Sequence, residues 1–448
     1  MASARSGRTV DYLLIGGGLA SATAAEEIRK RDANSSIVIV CQEPQRPYNR
    51  PPLSKEYLRA EINAPGTYGN GGIYVHEPEW YDANHVELLH GAAVSLDPTS
   101  KSVRVADAQP LNYGRLLLAT GGRPRTLNVP NATLPGIYYL RTLADADAIR
   151  GELEQPDKRV VVVGSGFIGL ETAANALFRH AKVTIVEPQS RPWASIVPSA
   201  VSHYLYSQYE RRGTTMRYEY AVTGFTAGED GRVAGVQVAP MSTSAATEPE
   251  LIPCDLAIIG VGIHLNSELA QQAGLEVDPD HGIVVNNHLQ SSAPDIYAAG
   301  DIAAYPDPIV GRMHFEHWDN AIASGQTAAI NMAGGDDVYR HVPYFFSVQF
   351  DLSINMLGYP SNAAQLVVRG TPTHDQFSAY FIVDGMLRAD LMINDDAQTD
   401  LVRDLIAEGV PVPDPQALVD PNFDLASLRP APVGQVEASG EQTPVAGT

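Results

Sequence analysis

An internal duplication constrains this chain more than any other feature. The apolar run 10–15 ends at Gly16-Gly17-Gly18, and four valines at 160–163 end at Gly164-Ser165-Gly166. Each run is followed by a small-residue, helix-favouring stretch (20–31 and 169–180). Each stretch leads into a second β-branched run, 37–40 and 183–186. Strand, glycine turn, helix and strand therefore occur twice, with the glycines 148 residues apart. Continuous Val/Ile runs suit strands buried on both faces, and crossovers through a helix imply a parallel sheet. The expected fold class is α/β: two Rossmann-like dinucleotide-binding domains plus a C-terminal α+β domain.

The glycine spacing carries a specific chemistry. Gly16 and Gly164 permit the tight turn. Gly18 and Gly166 let backbone approach a pyrophosphate at a helix N-terminus, where free N–H groups and the helix dipole favour an anion. Gly169 allows close helix–strand packing; its counterpart in the first copy is Ser21, a small departure. An acidic residue after the second strand binds ribose hydroxyls. In the second copy this is Glu187, which repels a 2′-phosphate and so favours NADH over NADPH, although Arg191 lies nearby. In the first copy the strand leads into Cys41, Gln42 and Glu43, of which Glu43 is the candidate.

The 448 residues suggest more than one hydrophobic core. The expected division is 1–120 with 251–338 as one discontinuous domain, 121–250 as the second, and 339–425 as the third. Runs 377–383 and 386–393 flank Asp384-Gly385, a two-residue hairpin signal; 398–408 then reads as a helix. Residues 426–448 are rich in Pro, Gly, Ser and Glu and are expected to be disordered. A net charge of −21 argues against a nucleic-acid partner. No apolar run approaches the roughly 20 residues that span a bilayer, and the first ten residues lack a secretion signal, so a cytoplasmic location is expected. The only cysteines, Cys41 and Cys254, form no C-x-x-C pair, so no metal, cluster or disulfide scaffold is expected.

The segment PYNRPPLSKEYL (47–58) resembles the ferredoxin reductases of oxygenase electron-transfer chains and the related apoptosis-inducing-factor flavoproteins. LLLATGGRPR (116–125), GSGFIGLETA (164–173), IIGVGIHLNSELA (258–270), DIYAAGDIA (295–303) and HWDNAIASGQTAAINMAG (317–334) agree with it in order and spacing. The resemblance extends over about 1–410. It implies FAD on the first unit and NADH on the second. It places Arg50 and Lys55 at the flavin, with Lys55 near N5 and paired with Glu171; a cation there stabilises the charge that reduction brings. It puts Asp301 at the ribityl or pyrophosphate region, Thr120, Gly121 and Arg123 along the flavin, and Ala93 and Val94 at the adenine. Trp318 lies beside the flavin where nicotinamide stacks. Phe167, Ile168 and Gly262 belong to the NAD side, with Phe167 covering or yielding to nicotinamide.

The implied reaction is hydride transfer from nicotinamide to flavin. The electrons then leave singly to a small iron–sulfur protein, of ferredoxin or Rieske type, from a monomeric or homodimeric reductase. A disulfide or peroxide reductase would need a cysteine beside the flavin, where this chain has Arg50 and Pro51. The alternatives are an apoptosis-inducing-factor-like sensor or assembly protein, and a flavin oxidase or monooxygenase acting on a small molecule. One departure concerns the C-terminal domain: family members often carry F-W-S-D, whereas this chain has Phe345-Phe346-Ser347-Val348.

Overall fold

The computed structural model describes residues 7–59, 72–242 and 248–429. The strand Arg8–Ile15 sits centrally in a seven-stranded sheet, hydrogen-bonded in parallel to Ile37–Cys41 on one side and Leu111–Leu118 on the other. Val86–His90 extends the sheet beyond Ile37–Cys41, and Ile296–Ala298 returns to pair with Leu111–Leu118. The strand Ile37–Cys41 is buried at all five positions, as expected of a parallel strand covered on both faces.

The second copy repeats the arrangement. Arg159–Val163 lies between Lys182–Glu187 and Leu256–Ile259, all parallel, with Thr215–Tyr218 and Ile137–Tyr138 at the edges. In both sheets the glycine turn leaves the central strand, so each turn faces the crevice at the strands' C-terminal ends. The strand Leu256–Ile259 belongs to this second sheet, whereas the division at 250/251 assigns it to the first unit. Its short apolar run would serve in either sheet, and only hydrogen-bond pairing decides.

Residues 344–393 form a five-stranded antiparallel sheet in which Gln376–Val383 and Met386–Ile393 make the hairpin around Asp384-Gly385. Both turn residues have positive φ, 52° and 73°, as a type I′ turn requires. Alternation sorts the sheet's two faces. Tyr380 and Ile382 join a core with Val402, Leu405 and Ile406 of the helix Thr399–Glu408. Phe377, Ala379 and Phe381 join the core of the second unit, with Leu170 and Ala173. The C-terminal sheet is thereby fastened to the helix that follows the second glycine turn.

A short turn at Leu425–Leu428 closes the described chain, and Arg429 pairs with Glu408 at 2.8 Å. Ordered structure thus runs past the expected boundary at 425. The rest of the tail expected to be disordered, 430–448, lies outside the described residues. No helix among the described residues is long and apolar enough to cross a membrane.

Candidate functional site

A cavity of about 1190 Å³ runs from the first glycine turn to the start of the second helix. Two groups of glycines around the turns behave differently. Gly16 and Gly164 have φ of +123° and +99°, and a Cβ on either would stand 2.1 or 2.2 Å from a backbone oxygen. A Cβ on Gly169 would meet the Gly164 oxygen at 2.1 Å. These three glycines are required by the fold. Gly18 and Gly166 are not: both have extended backbone, and a Cβ there would meet nothing within 4 Å. Both are the N-caps of their helices, and neither helix start carries a side-chain cap. Both helix N-termini, whose first N–H groups have no partner within the helix, therefore open on free space, the arrangement a pyrophosphate fits.

The cavity is lined by Gly16, Gly18, Glu43, Arg50, Lys55, Ala93, Val94, Thr120, Gly121, Arg123, Asp301 and Trp318, which were all expected at the flavin. Phe167, Ile168 and Glu171 reach it from the second helix. Ser21 does not line it. That residue is fully buried within its helix, because its side chain faces the core below the turn, and its hydroxyl has no partner. Gly164, Gly166, Gly169, Glu187 and Gly262 lie outside this cavity, around the second turn; a Cβ on Gly164 would strike the Gly260 oxygen, which places the 260–262 loop beside it.

Lys55 and Glu171 form an ion pair of 2.8 Å, with side chains only 4% and 2% exposed. Lys55 is carried on the turn after Pro51–Ser54, and Glu171 sits in the helix Phe167–Phe178. Asn175, one turn further along that helix, donates to the Ser54 carbonyl at 2.6 Å and ties the two segments together. Both oxygens of Glu171 accept further bonds: Ser54 Oγ donates to Oε2, and Ser347 Oγ donates to Oε1 at 2.7 Å. A buried pair repays its desolvation only when its remaining hydrogen-bonding capacity is used, and here it is.

Glu43 receives Arg50 Nη2 and the Tyr48 hydroxyl, each at 2.5 Å, so both its oxygens already accept protein donors. Arg50 also donates to the Arg141 carbonyl at 2.6 Å. In the second unit Glu187 accepts the Ser165 N–H at 2.6 Å, the Ser165 hydroxyl at 2.9 Å and the Gln189 N–H at 2.9 Å. Arg191 is taken up by its own loop, donating to Val197 O, Ser202 Oγ and Ala194 O.

Several residues in and around the cavity were not singled out by the sequence reading. Arg141 pairs with Asp301 at 3.2 Å, and its buried Nε has no partner. A buried cationic donor left unsatisfied beside the first turn fits an anionic ligand. Its neighbours Thr142 and Asp145 form a capping box, which marks a helix start and says nothing of a cavity. Asn49 accepts from Trp318 Nε1 at 2.7 Å and fixes the indole ring. His317 lines the cavity with Nδ1 unpartnered, and burial pushes its pKa down to about 4, so the ring is neutral near pH 7.

The departure at 345–348 preserves aromatic contact. Phe345 packs against Phe167 with ring centres 4.3 Å apart and planes tilted by 59°, and Phe346 lies edge-on to Trp318 at 6.3 Å with Lys55 Nζ 5.4 Å from its ring centre. Both cysteines are buried, and desolvation pushes their thiols up to about 12. Neither lines the cavity, so no thiol stands ready for redox chemistry there.

Two dinucleotide folds meeting at a cavity with a buried lysine–glutamate pair define a flavin- and nicotinamide-dependent oxidoreductase. Residues 10–325 match the model of the pyridine nucleotide-disulphide oxidoreductases, and 344–429 match a reductase C-terminal domain. The chain belongs to the pyridine nucleotide-disulphide oxidoreductase family, whose members use FAD and NAD(P)H. It is 34% identical over 420 residues to the ferredoxin–NAD(+) reductase component of the anthranilate 1,2-dioxygenase system of Burkholderia cepacia, covering 93% of this chain and 98% of that one. The ferredoxin reductase for the CYP199A2 system of Rhodopseudomonas palustris superposes with a TM-score of 0.85 at 32% identity, covering 93% of this chain and 99% of that one. The covalent putidaredoxin reductase–putidaredoxin complex also scores 0.85, at 30% identity, covering 94% and 98%.

Proposed function

We propose that this protein oxidises NADH and passes the electrons through FAD to a small [2Fe–2S] ferredoxin serving an oxygenase or P450. The observation that carries this reading is the cavity shared by the first glycine turn, the buried Lys55–Glu171 pair and the start of the second helix. Flavin bound here would supply two-electron acceptance of hydride and one-electron release, chemistry that asks no general base of the protein. The chain's own residues bind and orient. Gly18 and Arg141 receive the pyrophosphate, with Asp301 holding Arg141. Ala93 and Val94 line the adenine end. Thr120, Gly121 and Arg123, the last held by Glu268 at 2.7 Å, would line the ring system. Arg50 and Glu43 brace each other at the ribose end. Trp318, fixed by Asn49, and Phe167, held by Phe345, are the aromatic surfaces between which the nicotinamide is presented. Lys55 offers the cation that favours hydride arrival, and the surrounding aromatic rings exclude water.

NADH is preferred over NADPH because Glu187 is held in place by Ser165 and Gln189, while Arg191 is fully engaged elsewhere. Replacing Glu187 by Ala and Gln189 by Arg is expected to lower the ratio of kcat/KM for NADH over NADPH by about tenfold or more, since a charge-assisted contact replaces a repulsion. An unchanged ratio would remove Glu187 from the ribose site.

The acceptor is tested by NADH-driven cytochrome c reduction with each ferredoxin of the source organism, ferredoxin and Rieske types included. One ferredoxin is expected to support turnover far above the others. Fast flavin reduction followed by slow reoxidation with every iron–sulfur protein would overturn the electron-transfer role and favour a sensor.

A further inference from the structure

Glu171 is held from a part of the chain remote from both glycine turns. Ser347 lies on the strand Tyr344–Gln349 of the C-terminal sheet and is 1% exposed. Its hydroxyl donates to Glu171 Oε1 at 2.7 Å and accepts from Gln349 Nε2 at 3.1 Å. Gln349 is equally buried, and its Oε1 lies 2.9 Å from the Tyr209 hydroxyl, whose single proton also faces the Leu170 carbonyl at 2.7 Å. A buried chain of donors thus runs from Gln349 through Ser347 to the carboxylate that pairs with Lys55. Such chains polarise one another in low dielectric, and each donor takes up part of the charge on the final acceptor.

We propose that Ser347 is a positioning residue for flavin reduction: by sharing the charge of Glu171 it determines how much of the Lys55 cation remains available to the flavin. The proposal rests on the flavin reading above. Lys55, Ser54 and Ser347 divide one negative charge among three donors. With Ser347 removed, Oε1 has lost its donor in a site without solvent. The carboxylate then draws harder on Lys55, and its less-shielded charge opposes the negative charge that reduction adds. The flavin becomes harder to reduce. The C-terminal sheet, which lines the cavity with Tyr344, Phe345 and Phe346, therefore also contributes to the potential of the site.

The test is the midpoint potential of the flavin in the purified holoprotein, measured by dye-coupled titration, with FAD content and Tm measured alongside. Ser347→Ala is expected to weaken the reduced form about tenfold, a fall of about 30 mV for a two-electron couple. Ser347→Thr, which keeps the hydroxyl, is expected to stay at the wild-type potential. Ser347→Cys, nearly isosteric and a weak donor, is expected to move in the direction of Ala; it serves if Ala disturbs folding. A wild-type potential in both Ala and Cys variants with full FAD content would overturn the proposal, as would an equal fall in Ser347→Thr, which would indicate packing. A wild-type protein that carries flavin and is reduced by NADH, beside unchanged variants, defeats this inference alone. A wild-type protein that takes up no flavin defeats both it and the function proposed above.

Discussion

Lys55→Met is expected to slow flavin reduction by NADH about a hundredfold, equivalent to about 2.7 kcal/mol on the barrier. Removing a single preorganised group aimed at developing charge costs about this much in sites that exclude water. Lys55 is such a group: 3% exposed, paired at 2.8 Å and lining the cavity. The same substitution leaves Glu171 buried without its cation, and breaking a buried pair from one side costs about 3–5 kcal/mol of stability. The rate effect and the stability effect are separated by the double variant Lys55→Met with Glu171→Leu. It is expected to regain much of the Tm and none of the rate. Stopped-flow reduction with saturating NADH measures the first quantity and thermal unfolding the second. A double variant reduced at the wild-type rate would show that the pair is structural only.

Gly166→Val should leave the fold and the flavin in place and weaken nicotinamide dinucleotide binding by roughly a hundredfold, about 2.8 kcal/mol. The basis is the open space at this position. Its φ of −73° and ψ of −171° are open to any L residue, and a Cβ would touch nothing in the protein. The cost to the fold should stay within about 1 kcal/mol, the range for exchanges at a helix N-cap. A ligand's pyrophosphate, by contrast, needs the backbone bare. Gly164→Ala is the control with the opposite sign. Its φ of +99° and a Cβ 2.2 Å from Gly260 O strain the protein itself, so Tm falls before any ligand is added. Equal NADH affinity in Gly166→Val, measured by titration of the oxidised enzyme with NAD+, would refute the pyrophosphate role.

The duplication was legible because both copies announce themselves locally: a buried β-branched run, glycines at fixed spacing and a helix-favouring stretch each depend on neighbours in the chain. The hairpin at Asp384-Gly385 was legible for the same reason, since two adjacent residues set its turn. The assignment of Leu256–Ile259 was not, because a four-residue apolar strand fits either sheet and its partner, Arg159–Val163, lies about a hundred residues away. Ser21 occupies a glycine position of the motif yet faces the core, because the helix that begins at Leu19 turns it away from the cavity. Arg141 carries no motif signal, and although Asn49 lies within 47–58 and Ser347 within 345–348, neither pattern tells what the side chain touches; each acquires its role from a contact with a distant segment.

The sequence by itself determined that this chain holds two dinucleotide-binding turns, that an acidic residue follows each second strand, and that no thiol stands where a disulfide reductase needs one. It also singled out Lys55 and Glu171, through likeness to a known pattern. Only the tertiary structure decided that Glu171 is held by three donors from two distant segments, that Arg141 pairs with Asp301 yet leaves its Nε unsatisfied, that Arg191 is engaged by nearby residues, and that the Cβ positions of Gly18 and Gly166, unlike those of Gly16 and Gly164, face open space. The physical reason is one of range. Turn geometry and helix starts are set by residues a few positions apart, whereas the sharing of charge in a buried site depends on which side chains folding brings within hydrogen-bond distance. For Ser347 and Glu171 that meant 176 positions along the chain closing to 2.7 Å.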